Sequence, residues 1–556
     1  MRHFRTTIIL ASLLPAAAGA QAASGSAAAP CTCAAKITAN EIDGDLAFLA
    51  SDLLEGRAPA TRGGQLTSAY LAAQLRSAGV LPGVNGSYFQ TVPIDVVAAV
   101  PASIRVTASG KATAALAFPD QVVVGPGSAS DSGIARGELV FVGYGAAAPE
   151  YHWDDYKGED LKGKVLLVLV NDPPAPPSEP TLFGGKAMTY YGRWTYKYEE
   201  AERRGAAGVL IVHTTEAASY PWHTVVGSWG KEVRMLPRDP SLPAPLGVRG
   251  WITDSAASAL LAQAGLNMAE LRARADTRAF APVHTGIMMD MSFRNTVAHL
   301  QSENVVGLVR GSDAKLKDQY VVYSAHWDHL GIGPAVNGDS IYNGAADNAS
   351  GTAGLLAIAR ASVRMKPTRR SQLFVFVTAE ESGLLGSDWF ARHPPAPAKQ
   401  IVADLNMDVL PLEGRVKDLA VLGADKSTLG QMLAHLAQTK GLRLSPDPHP
   451  EAGHFYRSDH FSFAKVGVPS ISIGGGTDYV GRPKGWGEQQ QADYTAHRYH
   501  QPSDEYRADF DLSGAVQISQ LVLTFGRALG DSPVVPVWNA TAEFKAARDA
   551  TGGPGK

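Results

Sequence analysis

LFVFVTAEESGLLGS, residues 373–387, runs a strongly apolar stretch into two adjacent glutamates. Side chains alternate along an extended chain, so Glu380 and Glu381 point in different directions and cannot share one job. The stretch is one of a series. VVGLVR, YVVYSAHWD, LFVFVTAEE, ADLNMDV and LAVLG are short β-rich runs beginning near residue 304, and they alternate with helical stretches such as GTAGLLAIARASVR and STLGQMLAHLAQTKG. Alternating strands and helices argue for an α/β sheet covered on both faces. Ligands of such sheets sit beyond the carboxyl ends of the strands. HWD, EE and NMD each close an apolar run, so the polar groups collect at those ends.

The totals agree with a folded, multi-domain chain. It has 556 residues, 45% of them hydrophobic and 19% charged, with a formal net charge of -3. Neither a nucleic-acid footprint nor a disordered polyanion follows from that balance. At the N-terminus MRHFR, IILASLLPAAA and AGAQAA form a basic, apolar and small-residue series, the layout of a secretory signal over residues 1–22. Its apolar part falls short of the ~18–20 residues that a membrane span needs, so the expectation is a secreted or periplasmic protein without stable membrane insertion. Cys31 and Cys33 are the only cysteines. Beyond them any metal must be held by His, Asp and Glu.

Residues 38–80 read as helix, Gly/Arg-rich turn and helix, with Leu66, Tyr70, Leu71 and Leu75 near helical spacing. From 134 to 290, GELVFVGYG, KGKVLLVLVND and YEEAERRGAAGVLIVHT give a βαβ-like rhythm that could form its own core. His213 and His223 stand alone there and read as ordinary histidines. The tail over 531–556, ending DATGGPGK, reads as frayed or disordered.

Chemistry-bearing residues accumulate after 320. His326 and Asp328 fall on one face of an extended stretch, whereas alternation points His329 away. Asp347 lies among small residues in GAADNASG, which allow close approach by something bulky. Asp408 closes LNMDV, and His500 sits in the polar loop RYHQPSDEY. Imidazoles and carboxylates without thiolate suit Zn²⁺, with Mn²⁺ or Co²⁺ as substitutes. Two metal ions need a bridging carboxylate and roughly two further protein ligands each. Asp347 as bridge, His326 with Asp408, and Glu381 with His500 meet that count. Glu380 is then free to act as general base.

The order H-x-D, D-N-x-S-G, E-E, N-x-D and a late Y-H resembles the co-catalytic zinc exopeptidases of the bacterial leucyl aminopeptidase and glutamate carboxypeptidase superfamily, across about 300–510. LASDLLEGRAPATRGG and NGSYFQ look like the start of the same domain. The resemblance implies a mixed, mostly parallel central sheet over 38–133 and 291–530, and a β-rich protease-associated domain inserted at 134–290. It implies two Zn²⁺ ions on His326, Asp347, Glu381, Asp408 and His500, with Glu380 as proton shuttle. Asp328 would orient the His326 side, and Tyr499 would steady the oxyanion. Asp459 and His460 read as structural, and Asp478 as a contact for a substrate amine.

The implied activity is removal of N-terminal residues from peptides, by attack of a metal-bridging hydroxide on the first peptide carbonyl. A carboxypeptidase or dipeptidase of the same superfamily is the alternative. It requires a basic pocket, to which Arg457, Arg482 and Arg498 could contribute. A non-catalytic protein stabilised by metal is a third reading, which the free Glu380 opposes. Oligomeric state is left open.

Overall fold

The computed structural model describes residues 36–218, 220–229 and 232–554. The leader expected at 1–22 and both cysteines lie outside the described residues. Four strands form the centre: Ser371–Val377, Tyr320–His326, Ile401–Asn406 and Ser470–Gly475 lie side by side and parallel. Asp418–Leu422 flanks them antiparallel on one side, and Val283–Val309 on the other.

Alternation sorts their side chains between two cores. Val321, Tyr323, Ala325, Phe374 and Phe376 enter one, together with residues of helices Ala39–Leu49, Arg62–Ala78, Gly351–Val363 and Ser513–Asp531. Val322, Leu373, Val375 and Val377 enter the other, with Phe390 and Phe463 from the helices Leu385–Arg392 and His460–Lys465. Each such side chain, fully buried, contributes on the order of 2 kcal/mol.

Local signals set the helix ends. Thr38 and Glu41 form a reciprocal capping box before Ala39–Leu49. Thr61 caps Arg62–Ala78, which stops at Gly79 in the left-handed conformation (φ 80°). Leu71 and Leu75 of that helix are buried, whereas Leu66 turns out to solvent.

A second sheet carries its own two apolar cores. Ser132–Phe141, Val165–Leu169, Gly208–His213 and Val248–Thr253 are parallel neighbours in it. Arg105–Ser109 and Val122–Pro126 also pair into this sheet. The second lobe thus takes up strands ahead of residue 134, where the composition of the sequence changes, because Val106, Val122, Val123 and Val124 find their burial there. The 27-residue strand Val283–Val309 serves both sheets. Its first part, to Arg294, pairs in the second sheet, and its remainder pairs with Phe89–Ala99 and Ser371–Val377 in the first.

The seam between the lobes is aromatic. Phe183, Tyr190, Tyr191 and Tyr196 share one buried cluster with Phe455, Tyr456, Phe461, Trp538 and Phe544. Here the structure corrects the reading of the tail. Residues 532–554 are placed, Trp538 Nε1 donates to Gly467 O (2.9 Å), and Lys545–Thr551 is helical. The glycine-rich end of the tail conceals two aromatics whose burial depends on distant parts of the chain. No helix among the described residues is long and apolar enough to cross a membrane. Trp538→Ala is expected to cost about 3–5 kcal/mol, by loss of a buried indole and its hydrogen bond, read as a lowered urea midpoint.

Candidate metal centre

The parallel register sets the carboxyl ends of the central strands level. His326 pairs with Val377 across one ladder, and Ser324 with Asn406 across the next. His326 therefore ends its strand beside the loop carrying Glu380 and Glu381 and the loop carrying Asp408. Asp347 joins them from the segment before Gly351–Val363, and His500 from just beyond Trp486–His497.

The two oxygens of Asp347 face different partners. Oδ1 is 3.3 Å from His326 Nε2, which is also 3.3 Å from Asp408 Oδ1. Oδ2 is 3.3 Å from His500 Nε2, which is 3.1 Å from Glu381 Oε2. The donor atoms form two groups that share Asp347. His500 Nε2 is buried and close to two carboxylates, yet the angles give it no hydrogen-bond partner. A lone pair held so, among carboxylate oxygens, fits a divalent cation, and an imidazole–carboxylate set is a zinc donor set.

Charge is concentrated around this centre. Burial raises the Glu380 carboxyl well above the usual range, and Glu381, Asp459 and Asp408 add to the effect against the pull of His326. Burial alone would lower His326, but Glu380, Asp408 and Asp347 override it and raise the imidazole well above its ordinary value. Burial also pushes Asp328 up to about 6.

Asp328 acts by two routes. Its backbone carbonyl lies 3.2 Å from His326 Nδ1, which aims Nε2 at the carboxylates. Its carboxylate accepts the backbone N–H groups of Glu380 (3.1 Å) and Glu381 (3.4 Å), which holds the glutamate turn in place. Ser458 Oγ donates to Asp408 Oδ2 (2.7 Å). Asp504 accepts from the backbone N–H groups of Ala346 (3.0 Å) and Asp347 (3.1 Å). Ala379, Val409 and His500, at or beside three of the site residues, adopt left-handed φ of 55°, 59° and 57°. That conformation is strained for a non-glycine residue, most of all for branched Val409.

Two expectations are corrected. His329 does not point away: the strand ends at His326, so alternation no longer governs it. It is buried with Nδ1 2.7 Å from Glu381 Oε1. Gly344 makes room for it, since a Cβ there would lie 2.5 Å from the His329 ring. Asp478 is instead bound by Lys417 Nζ (3.0 Å) and Arg443 Nη2 (2.8 Å), and a carboxylate held by two cations is not available to a substrate amine. Tyr499 stacks on the His500 ring, with centroids 3.9 Å apart. Asp459 and His460 are fully buried, and burial pushes His460 down to about 3.

Arg57 had no mark in the sequence beyond its place in LLEGRAPATRGG. Fully buried, it donates to the backbone carbonyls of Leu49 (2.6 Å), Trp327 (2.8 Å), Asn343 and Gly344 (3.0 Å). It thereby ties the N-terminal segment to the chain on either side of the histidine and aspartate loops.

An α/β domain whose level strand ends gather buried histidines and carboxylates is a metallohydrolase domain in form. Residues 304–526 match the Peptidase family M28 model. The probable leucine aminopeptidase 2 of Aspergillus oryzae is 29% identical over 213 residues, covering 36% of this chain and 39% of that protein. Mouse (Mus musculus) aminopeptidase NAALADL1 is 35% identical over 130 residues, 22% of this chain and 16% of its own. The chain thus spans well under half the length of these curated relatives. Among solved structures, an aminopeptidase from Aneurinibacillus sp. strain AM-1 aligns over 90% of this chain and 95% of its own, with 18% identity and a TM-score of 0.46.

Two outcomes follow from this geometry. Zinc is expected to raise the melting temperature of the protein and a chelator to lower it, and Asp347→Asn should abolish both responses in a thermal-shift assay. Arg57→Gln is expected to cost at least about 3 kcal/mol in chemical unfolding, because it leaves buried carbonyls unpaired. Arg57→Lys should not restore the loss, since an ammonium lacks the fork that reaches all four.

Proposed function

We propose that this chain is an exported di-zinc aminopeptidase that removes N-terminal residues from peptides. One observation carries the reading: Asp347 divides its two oxygens between two histidine–carboxylate pairs, His326 with Asp408 and His500 with Glu381. In this reading those five residues hold two zinc ions and leave Glu380 uncoordinated. Zinc, when bound, supplies a Lewis acid that acidifies water and polarises the peptide carbonyl.

Glu380 accepts the proton of the attacking water and delivers it to the departing amine. Asp328 keeps Glu380 and Glu381 on their separate tasks through the two backbone N–H groups it holds. His329 fixes one oxygen of Glu381 so that the other faces His500. Tyr499 keeps its proton, because burial and the neighbouring carboxylates raise its hydroxyl far above the ordinary value. It donates to the carbonyl oxygen as negative charge develops there. The amine-end preference rests on the relatives, whose names describe aminopeptidases.

The test is release of p-nitroaniline from leucine p-nitroanilide, together with zinc content per chain. Glu380→Gln is expected to lower kcat about 10²–10⁴-fold with two zinc ions per chain retained. Unchanged kcat in that variant would remove Glu380 from the role of base, and one zinc per chain in the unaltered protein would remove the two-ion arrangement.

A further inference from the structure

A cavity of about 280 Å³ opens at the seam of the two lobes. That is room for several waters or for a small polar ligand group. The second lobe lines it with Asn171, Arg193, Trp194 and Trp251, and the catalytic lobe with Arg457. Three buried polar atoms of these residues have no partner: Arg193 Nε, Trp251 Nε1 and Asn171 Oδ1. Asn171 already spends its amide N–H on Ala217 O (2.7 Å), which leaves the oxygen as an acceptor.

Native proteins leave few buried polar atoms unpaired, and three around one cavity point to something that belongs there. The charges say what kind of group. Among the described residues, neither Arg193 nor Arg457 forms an ion pair, and the two guanidinium groups repel one another. Burial and that repulsion bring Arg193 down to about 10, so it still carries its charge at neutral pH. The helix Trp194–Arg203 begins at the cavity with no capping side chain, which adds the positive end of its dipole. The acid on the wall, Glu451, faces His449 at 3.3 Å.

The cavity shares a stretch of chain with the candidate metal centre. Arg457 directly precedes Ser458, whose hydroxyl is bonded to Asp408. A peptide extends ~3.3–3.6 Å per residue, so a short peptide is the kind of ligand that could reach from one to the other. The end of a peptide offers the chemistry that is missing. Its carboxylate would accept from the guanidinium groups and the indole N–H, and its last amide N–H would donate to Asn171 Oδ1.

We propose that this cavity binds a carboxylate of the peptide substrate, in first place the terminal carboxylate of a short peptide, so that the enzyme favours short peptides with a free C-terminus. The substrate part of this proposal rests on the peptidase reading above. The test compares kcat/KM of the full-length zinc-loaded protein for Leu-Gly-Gly acid, Leu-Gly-Gly amide and Leu-Gly-Glu amide. The acid is expected to exceed the Leu-Gly-Gly amide at least about 10-fold, the scale of a charge-assisted hydrogen bond. In Arg193→Gln and in Arg457→Gln that ratio should fall toward one, whatever the absolute rate, and Arg193→Lys should restore part of it. A Leu-Gly-Glu amide that matches the acid would support the cavity with a side-chain carboxylate as its ligand.

Equal rates for acid and amide, with leucine p-nitroanilide still cleaved, would overturn the inference and leave the peptidase reading standing. If no substrate is cleaved, the peptidase reading fails and binding alone decides the cavity. Acetyl-Gly-Gly-Leu acid should then change the tryptophan fluorescence of the unaltered protein and not of Arg193→Gln. No change in either would mean that the cavity holds water only.

Discussion

Five carboxylates, Asp328, Asp347, Glu380, Glu381 and Asp408, converge at the ends of three neighbouring strands, Asp328 and Asp347 deeply buried and the other three partly so. Like charges brought so close out of water repel one another and lose their hydration, so nothing in this region is stable without its compensators. His326, His329 and His500 face the carboxylates, and backbone N–H groups take up the oxygens of Asp328 and Asp504. The donor set fits a divalent cation, which would supply more of that compensation. The fold can be understood as the means of holding this cluster together: parallel strands level its members, and two covered faces keep solvent from dispersing them.

Much of the precision comes from the main chain rather than from side-chain pairs. Arg57 spends its guanidinium on four carbonyls, and Asp328 and Asp504 spend their carboxylates on four N–H groups. Such bonds fix where a loop runs, and the ligand side chains inherit that placement. The left-handed residues at 379, 409 and 500 show the cost of those loop paths, each strained by about 1–3 kcal/mol.

Periodicity made the sheet and the divergence of Glu380 and Glu381 legible in the sequence, because alternation is a property of each strand alone. The spacing of His326, Asp347, Glu381 and Asp408 was legible for a related reason, since each lies at or just past a strand end or just ahead of a helix, whereas His500 stands in a loop beyond a helix and had only its polar surroundings to mark it. What escaped depended on distant partners. His329 lies just past a strand end, where the period of two stops applying. Arg57 acts on carbonyls some 270–290 residues away. Lys417 and Arg443 claim Asp478. The ordered tail owes its place to Trp538 and Phe544 in the aromatic seam, a burial that depends on partners far away in the chain.

Val283–Val309 contributes hydrogen bonds to both sheets without a break. The second lobe is therefore not a separable module joined by a linker. To excise it at the sheet boundary would cut a strand that the first sheet uses, and a slip of one residue within it would turn side chains inside out in both lobes at once. Cooperativity of unfolding should accordingly extend across the whole chain from residue 36 onward, with no stage at which one lobe is native and the other is free.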